Sequence, residues 1–172
     1  MKKLFTLNLC VLFILPFVLL MSSCEEPQPK APVTDFSAEL TVKYNNMNIC
    51  GEFSNTRQGV MTFSVTSPET IKDVKYSYKS GELNMSLDGL ECIVSPEYLP
   101  ESNFVNCIYE CMTLLKDENN YTYKTRENDN AIFNAKAGKE YTVYTQKDTG
   151  VISKIETELI VAEFSNQKSF QD

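Results

Sequence analysis

Thiols, carboxylates and lysines are the reactive groups this chain offers, because its 172 residues include six Cys, 23 Asp and Glu, 16 Lys and Arg, and no His. Without imidazole, Ser–His triads, His general bases and His-ligated zinc fall away. No nucleophile stands beside a recognisable base among the groups that remain. The sequence therefore reads as non-enzymatic, with no cofactor and no catalytic residue.

One cysteine has a setting of its own. Cys24 follows Met21-Ser22-Ser23, and the stretch Leu4–Met21 before it is almost wholly apolar behind Lys2 and Lys3. A basic start, an apolar run and small residues at the boundary form an export signal, and small-small-Cys has the form of a bacterial lipobox. Met stands where Leu is commonest in that motif. Residues 1–23 are thus expected to be a signal peptide, with Cys24 acylated by palmitate-type chains, each buried methylene contributing about 0.8 kcal/mol to membrane anchoring. Roughly 18 apolar residues would also suffice for an uncleaved span, but Asn8 and Pro16 interrupt the stretch. Either route places the remainder on the extracytoplasmic side of the cell membrane. Residues 24–34 are Pro-rich and polar, an extended tether reaching about 30 Å.

Removing residues 1–23 from 172 leaves 149, enough for one domain with a core. Lys2 and Lys3 leave with the signal, so 14 basic side chains face 23 acidic ones, a balance that repels nucleic acid. Cys50, Cys92, Cys107 and Cys111 stay in the domain. They are open to three readings: small buried apolar residues, one disulfide, or a metal site of all four, whose spacing lacks the close pairs of zinc motifs.

The elements that position these residues are mostly strands. Phe36, Ala38, Leu40, Val42 and Tyr44 alternate with Ser37, Glu39, Thr41 and Lys43, Asn45-Asn46 marks a hairpin, and the same period recurs over 47–54 and 61–66. Ser67-Pro68-Glu69-Thr70 breaks the meander. Alternation returns at Val74, Tyr76 and Tyr78, then over 82–88 and 90–94, with Ser80-Gly81 and Asp88-Gly89 as turns. Pro100-Glu101-Ser102 opens a helix over 102–116, whose Phe104, Ile108, Cys111, Met112 and Leu115 make one apolar stripe. Strands follow over 121–125, 131–135, 139–146 and 151–164, and the alternation lapses near Leu159-Ile160-Val161-Ala162. The domain is expected over 35–166, with a disordered polar tail over 167–172.

This order of elements, with the Thr66-Ser67-Pro68-Glu69-Thr70 link, the run to Leu99-Pro100, one helix, and a closing series ending in Ala162-Glu163-Phe164-Ser165-Asn166, resembles small lipoproteins of Gram-positive anaerobes. Those are similar to the periplasmic lipoprotein-carrier (LolA-like) superfamily. The resemblance spans 35–166. It implies a mainly β (α+β) fold, a strongly curved antiparallel sheet or half-barrel with one main helix on its concave face. It also implies an apolar hollow able to shelter acyl chains, and so a lipid or other hydrophobic ligand. The residues that would line it are Leu40, Val42, Ile49, Phe53, Phe63, Val65, Tyr76, Leu83, Met85, Phe104, Ile108 and Met112. The alternative is that these side chains fill the space themselves, leaving an envelope module that binds a protein partner.

Two weaker patterns accompany these. Tyr76, Tyr78, Tyr121, Tyr123, Tyr141 and Tyr144 could stack on sugars or simply occupy half-wet strand faces. Glu127-Asn128-Asp129-Asn130 lacks the Gly and terminal Glu of a calcium loop and reads as a solvated turn.

Overall fold

The computed structural model describes residues 29–100 and 103–170. The signal segment, Cys24 and the start of the tether lie outside the described residues. Eleven strands and one helix follow in order: β1 (Phe36–Tyr44), β2 (Met47–Asn55), β3 (Met61–Ser67), β4 (Lys75–Lys79), β5 (Glu82–Leu87), β6 (Leu90–Val94), α1 (Phe104–Leu114), β7 (Tyr121–Glu127), β8 (Asn130–Ala137), β9 (Lys139–Gln146), β10 (Ile152–Glu156) and β11 (Ile160–Ser169). They form a single open sheet in the order β6-β5-β4-β3-β2-β1-β11-β10-β9-β8-β7. Two meanders, one on each side of α1 in the chain, are thus joined where the first strand meets the last, from Phe36 opposite Ser169 to Tyr44 opposite Ile160. Among the described residues, no helix is long and apolar enough to cross a membrane.

Alternation sets the two faces. Phe36, Ala38, Leu40 and Val42 are buried, while Glu39 and Lys43 are exposed, and period-2 geometry carries the same division across the sheet. Tight turns fix the register. Asn45 and Asn46 (φ 46° and 62°) and Asp88 and Gly89 (φ 51° and 82°) supply two successive left-handed residues, the type I′ combination whose twist matches flanking strands. A cis Ser67–Pro68 bond and a short 3-10 turn, Glu69–Ile71, separate β3 from β4.

The helix is capped by Asn103, whose side-chain oxygen accepts the Asn106 N–H at 3.0 Å. That cap lies just beyond the Pro100-Glu101-Ser102 start expected from sequence, because the carboxamide of Asn103 satisfies an otherwise orphaned N–H of the first turn. Phe104, Val105, Ile108, Cys111, Met112 and Leu115 are buried against the sheet.

Two boundaries differ from the expectation. The long strand over 151–164 is two, folded back on each other with Ile155 opposite Ala162. Thr157 makes the reversal: its hydroxyl accepts the N–H groups of Leu159 and Ile160, both at 3.1 Å. That local turn is why the alternation lapses near Leu159. The expected frayed tail is also shorter, since β11 continues to Ser169 on the β1 ladder and Lys168 sits opposite Ser37. At the other end, the tether docks before the first strand begins. Val33 donates its N–H to Gly150 O at 2.8 Å, and the Asn55 amide donates to Thr34 O at 2.9 Å.

Gly51 marks the tightest approach in the meander. A Cβ there would sit 2.1 Å from Ser64 O and 2.8 Å from the Phe63 ring, beside the register shift of β2 on β3. Gly51→Ala is expected to cost about 2–3 kcal/mol as backbone and ring are forced apart, read as a lowered urea midpoint. A neutral result would show that the two strands separate freely at this point.

Candidate functional site

The twelve residues expected to line a hollow come from β1, β2, β3, β4, β5 and α1, and the structure brings all of them into one cluster. Leu40, Val42, Ile49, Phe53, Phe63, Val65, Leu83, Phe104, Ile108 and Met112 are buried, with Tyr76 and Met85 half-buried at its margin. They pack on one another. The Phe104 ring lies 5.8 Å from Tyr44, 6.0 Å from Phe63 and 5.8 Å from Tyr76, separations typical of aromatic contact. The other meander contributes as much to the same core: Phe133, Tyr141, Val143, Ile152, Ile155 and Phe164 are all buried in it. A cleft of about 940 Å³ lies on the opposite face of the sheet, walled chiefly by Lys124, Lys136, Glu127, Glu140, Glu156 and Tyr144. Ile132 and Leu159 join these charged side chains in lining it.

A polar clasp crosses the concave face within this apolar setting. The Tyr78 hydroxyl, from β4, donates to Asn106 Oδ1 at 2.9 Å. Asn106 Nδ2 donates to Glu110 Oε1 at 3.1 Å, one helical turn on. The Tyr141 hydroxyl, from β9, donates to Glu110 Oε2 at 2.6 Å, and Lys139 Nζ lies 3.6 Å from the same oxygen. Tyr109 stacks on Tyr78 with ring centroids 4.1 Å apart and planes within 8°.

The clasp measures the curvature of the sheet. Strands β4 and β9 are six steps apart in the strand order, so roughly 29 Å would separate them in a flat sheet at 4.8 Å per step. Their tyrosines nevertheless reach neighbouring turns of one helix. The sheet must bend around α1, and it remains open because β6 and β7 end it without pairing.

No family model matches the chain, and no curated protein matches it. Solved structures do. An uncharacterized conserved protein from Thermus thermophilus superposes with a TM-score of 0.52 at 8% identity, over 80% of this chain and 79% of that one. A LolA superfamily protein from Nitrosomonas europaea gives 0.46 at 8% identity, over 83% and 90%. A chain of the Pseudomonas aeruginosa MucA/MucB complex gives 0.46 at 12% identity, over 79% of this chain and 52% of that one. The likeness to the Thermus thermophilus protein is one of fold alone. Among the described residues, an open, curved antiparallel sheet around one helix is the half-barrel that the order of elements implies.

Within this frame, the tyrosines separate by role. Tyr78 and Tyr141 are 0% and 1% exposed, so neither belongs to a sugar-stacking surface. Desolvation, with Glu110 adding to it, pushes both phenols well above their ordinary value of 10.0. Tyr144 faces the other side, where Lys154 Nζ sits 3.8 Å over its ring. None of the four cysteines is in a disulfide: Cys107 and Cys111 are buried, Cys50 is half-buried and Cys92 is exposed. Burial pushes the Cys107 and Cys111 thiols up, away from reactive thiolates. Among the described residues, no group of three or more Cys, Asp or Glu could hold a metal. The acidic stretch at Glu127 is a hairpin turn, with Asn128 at φ 53°.

Sequence reasoning missed Asn106, Glu110 and Lys139. The four-residue spacing of Asn106 and Glu110 puts them on one helix face beside the apolar stripe, which was the available signal. Their partners lie on distant strands and left no local trace.

Because Tyr78 and Tyr141 hold their protons more tightly in the folded chain, the stability they contribute is intact below about pH 10. It is lost as pH rises beyond that value, where the unfolded phenols ionise first. Thermal unfolding followed from pH 8 to 11 should show this fall, and Tyr78→Phe with Tyr141→Phe should flatten it. A slope unchanged in the double variant would place the alkaline sensitivity elsewhere.

Proposed function

We propose that the chain is an acylated, extracytoplasmic binding module without enzymatic activity, which takes an apolar chain beneath α1. The signal-like segment ending at Cys24 supports the location. The absence of His from the sequence and the raised thiols support the non-enzymatic reading. The twelve candidate side chains are then the surface that a ligand touches when α1 lifts, and α1 is a cover rather than a fixed piece of core.

The observation that carries this reading is the clasp, because it joins helix to sheet with groups that water serves almost as well. The Tyr78–Asn106 bond contributes about 1 kcal/mol net of solvation and each bond to the Glu110 carboxylate about 2 kcal/mol, so parting them costs less than parting the apolar contact. The apolar side of the contact is larger. Phe104, Val105, Ile108, Met112 and Leu115 are buried, each worth roughly 2 kcal/mol, and a ligand chain contributes about 0.8 kcal/mol per methylene. About a dozen methylenes therefore offset the apolar contact that a lifted helix gives up. That is the length range of membrane acyl chains.

Native mass spectrometry of the full chain, isolated from membranes in mild detergent, tests the proposal. An apolar species should travel with the protein, and Ile108→Lys should remove it. Glu110→Ala, which frees the clasp without touching the apolar surface, should raise uptake of a fluorescent fatty acid several-fold. A chain with no bound lipid and no response in either variant rejects the reading.

A further inference from the structure

The two ends of the sheet are not alike. Strand β7 carries exposed Lys124 and Glu127 and a register shift between Tyr123 and Thr125, devices that discourage further strand pairing. Strand β6 reads Leu-Glu-Cys-Ile-Val, with Leu90 77% and Ile93 67% exposed, and Tyr98 just beyond it 78% exposed. It carries one charge, Glu91. An edge of this kind is a template for another strand.

We propose that β6 docks on the β6 of a second copy of this chain, antiparallel, about a twofold axis through Cys92. The argument is one of register. The β5–β6 hairpin turns on the two residues Asp88 and Gly89, with Leu87 opposite Leu90 and Met85 opposite Cys92. A two-residue hairpin makes its closing pair a hydrogen-bonded one, and such pairs alternate along the ladder. Leu90, Cys92 and Val94 therefore spend their N–H and C=O groups on β5, while those of Glu91 and Ile93 point outward. In a pair centred on Cys92, Glu91 meets the partner's Ile93 and both exchange backbone bonds on each side of the axis.

Cys92 is the middle residue of the five in β6, so this register alone matches the strand along its full length. It sets Leu90 against the partner's Val94 on the face that Leu83 and Met85 occupy, covering the most exposed leucine with an apolar residue. It also keeps Glu91 from facing its own copy, since like charges directly opposite each other destabilise a ladder. The occupant is another copy because the outward backbone groups and the apolar residues of this edge match themselves in this one register.

The pairing has two built-in consequences. Glu82, Asp88, Glu91 and Glu97 surround the edge, all exposed, so two copies repel at low salt and associate better as salt screens them. A basic partner strand would behave in the opposite sense. Cys92 faces the partner's Cys92 at a non-hydrogen-bonded position, where Cα atoms approach to about 4.5 Å, within the range a disulfide spans.

The test treats the full chain in mild detergent with diamide, which takes up the two hydrogens that a pair of thiols loses on forming a disulfide. A linked dimer should appear, vanish in Cys92→Ser and persist in Cys50→Ser. Its yield should rise between about 50 and 500 mM salt. Ile93→Lys places an ammonium opposite Glu91 and should raise the yield about threefold, while Ile93→Glu should lower it by a similar factor. Both variants change an exposed residue, so the fold is kept. No dimer, a dimer surviving in Cys92→Ser, a yield that falls with salt, or Ile93 variants alike in yield would each overturn the proposal.

Discussion

The bend of the sheet around α1 is the constraint from which the rest of this structure follows. Eleven antiparallel strands with one apolar face need something to cover that face, and a single eleven-residue helix is too small to cover a flat sheet of that width. Curvature resolves the mismatch by bringing β4 and β9 to the same short helix. Tyr78 and Tyr141 fix how far the curling goes, because each must reach a particular turn of α1 to place its hydroxyl. Where those hydroxyls land, Asn106 and Glu110 are needed, since a buried phenol without a partner would be costly.

The clasp is directional in a way that the apolar contacts around it are not. The contacts of Phe104 and Ile108 have no preferred direction of their own, whereas the bonds from Tyr78 to Asn106 and from Tyr141 to Glu110 tie the helix to one rotation. Polar groups set in an apolar interface in this manner trade stability for a defined arrangement. They also leave the contact less adhesive than an all-apolar one. A cover that must both seat accurately and come away draws on both properties.

Openness is the other consequence of the bend. Because the curled sheet stops short of closure, it retains two edges, and their chemistry differs. The β7 edge is guarded by charge and a register shift; the β6 edge is apolar and plain. The concave face and the β6 edge are therefore separate surfaces, one closed over by α1 and one left facing solvent, and they share Leu83 and Met85 as neighbours on the same side of the sheet.

Local pattern determined the strands, the hairpin turns and the apolar stripe of α1, because period-2 and period-3.6 burial and left-handed turn residues are written into consecutive residues. Phe36 to Val42 or Asp88-Gly89 carries its structure in its own neighbourhood. Even the errors were local: Thr157 reverses the chain through its own hydroxyl, a device that the apolar pattern around Leu159 masked. The twelve candidate residues fall in one cluster, since each sits on a readable face. Tertiary structure alone decided whether those faces meet across a space or pack together, and which polar groups join them. Tyr78 and Asn106 are 28 residues apart, and Glu110 and Tyr141 are 31 apart. Bonds over such separations depend on how far the sheet curls, and that is a property of all eleven strands together.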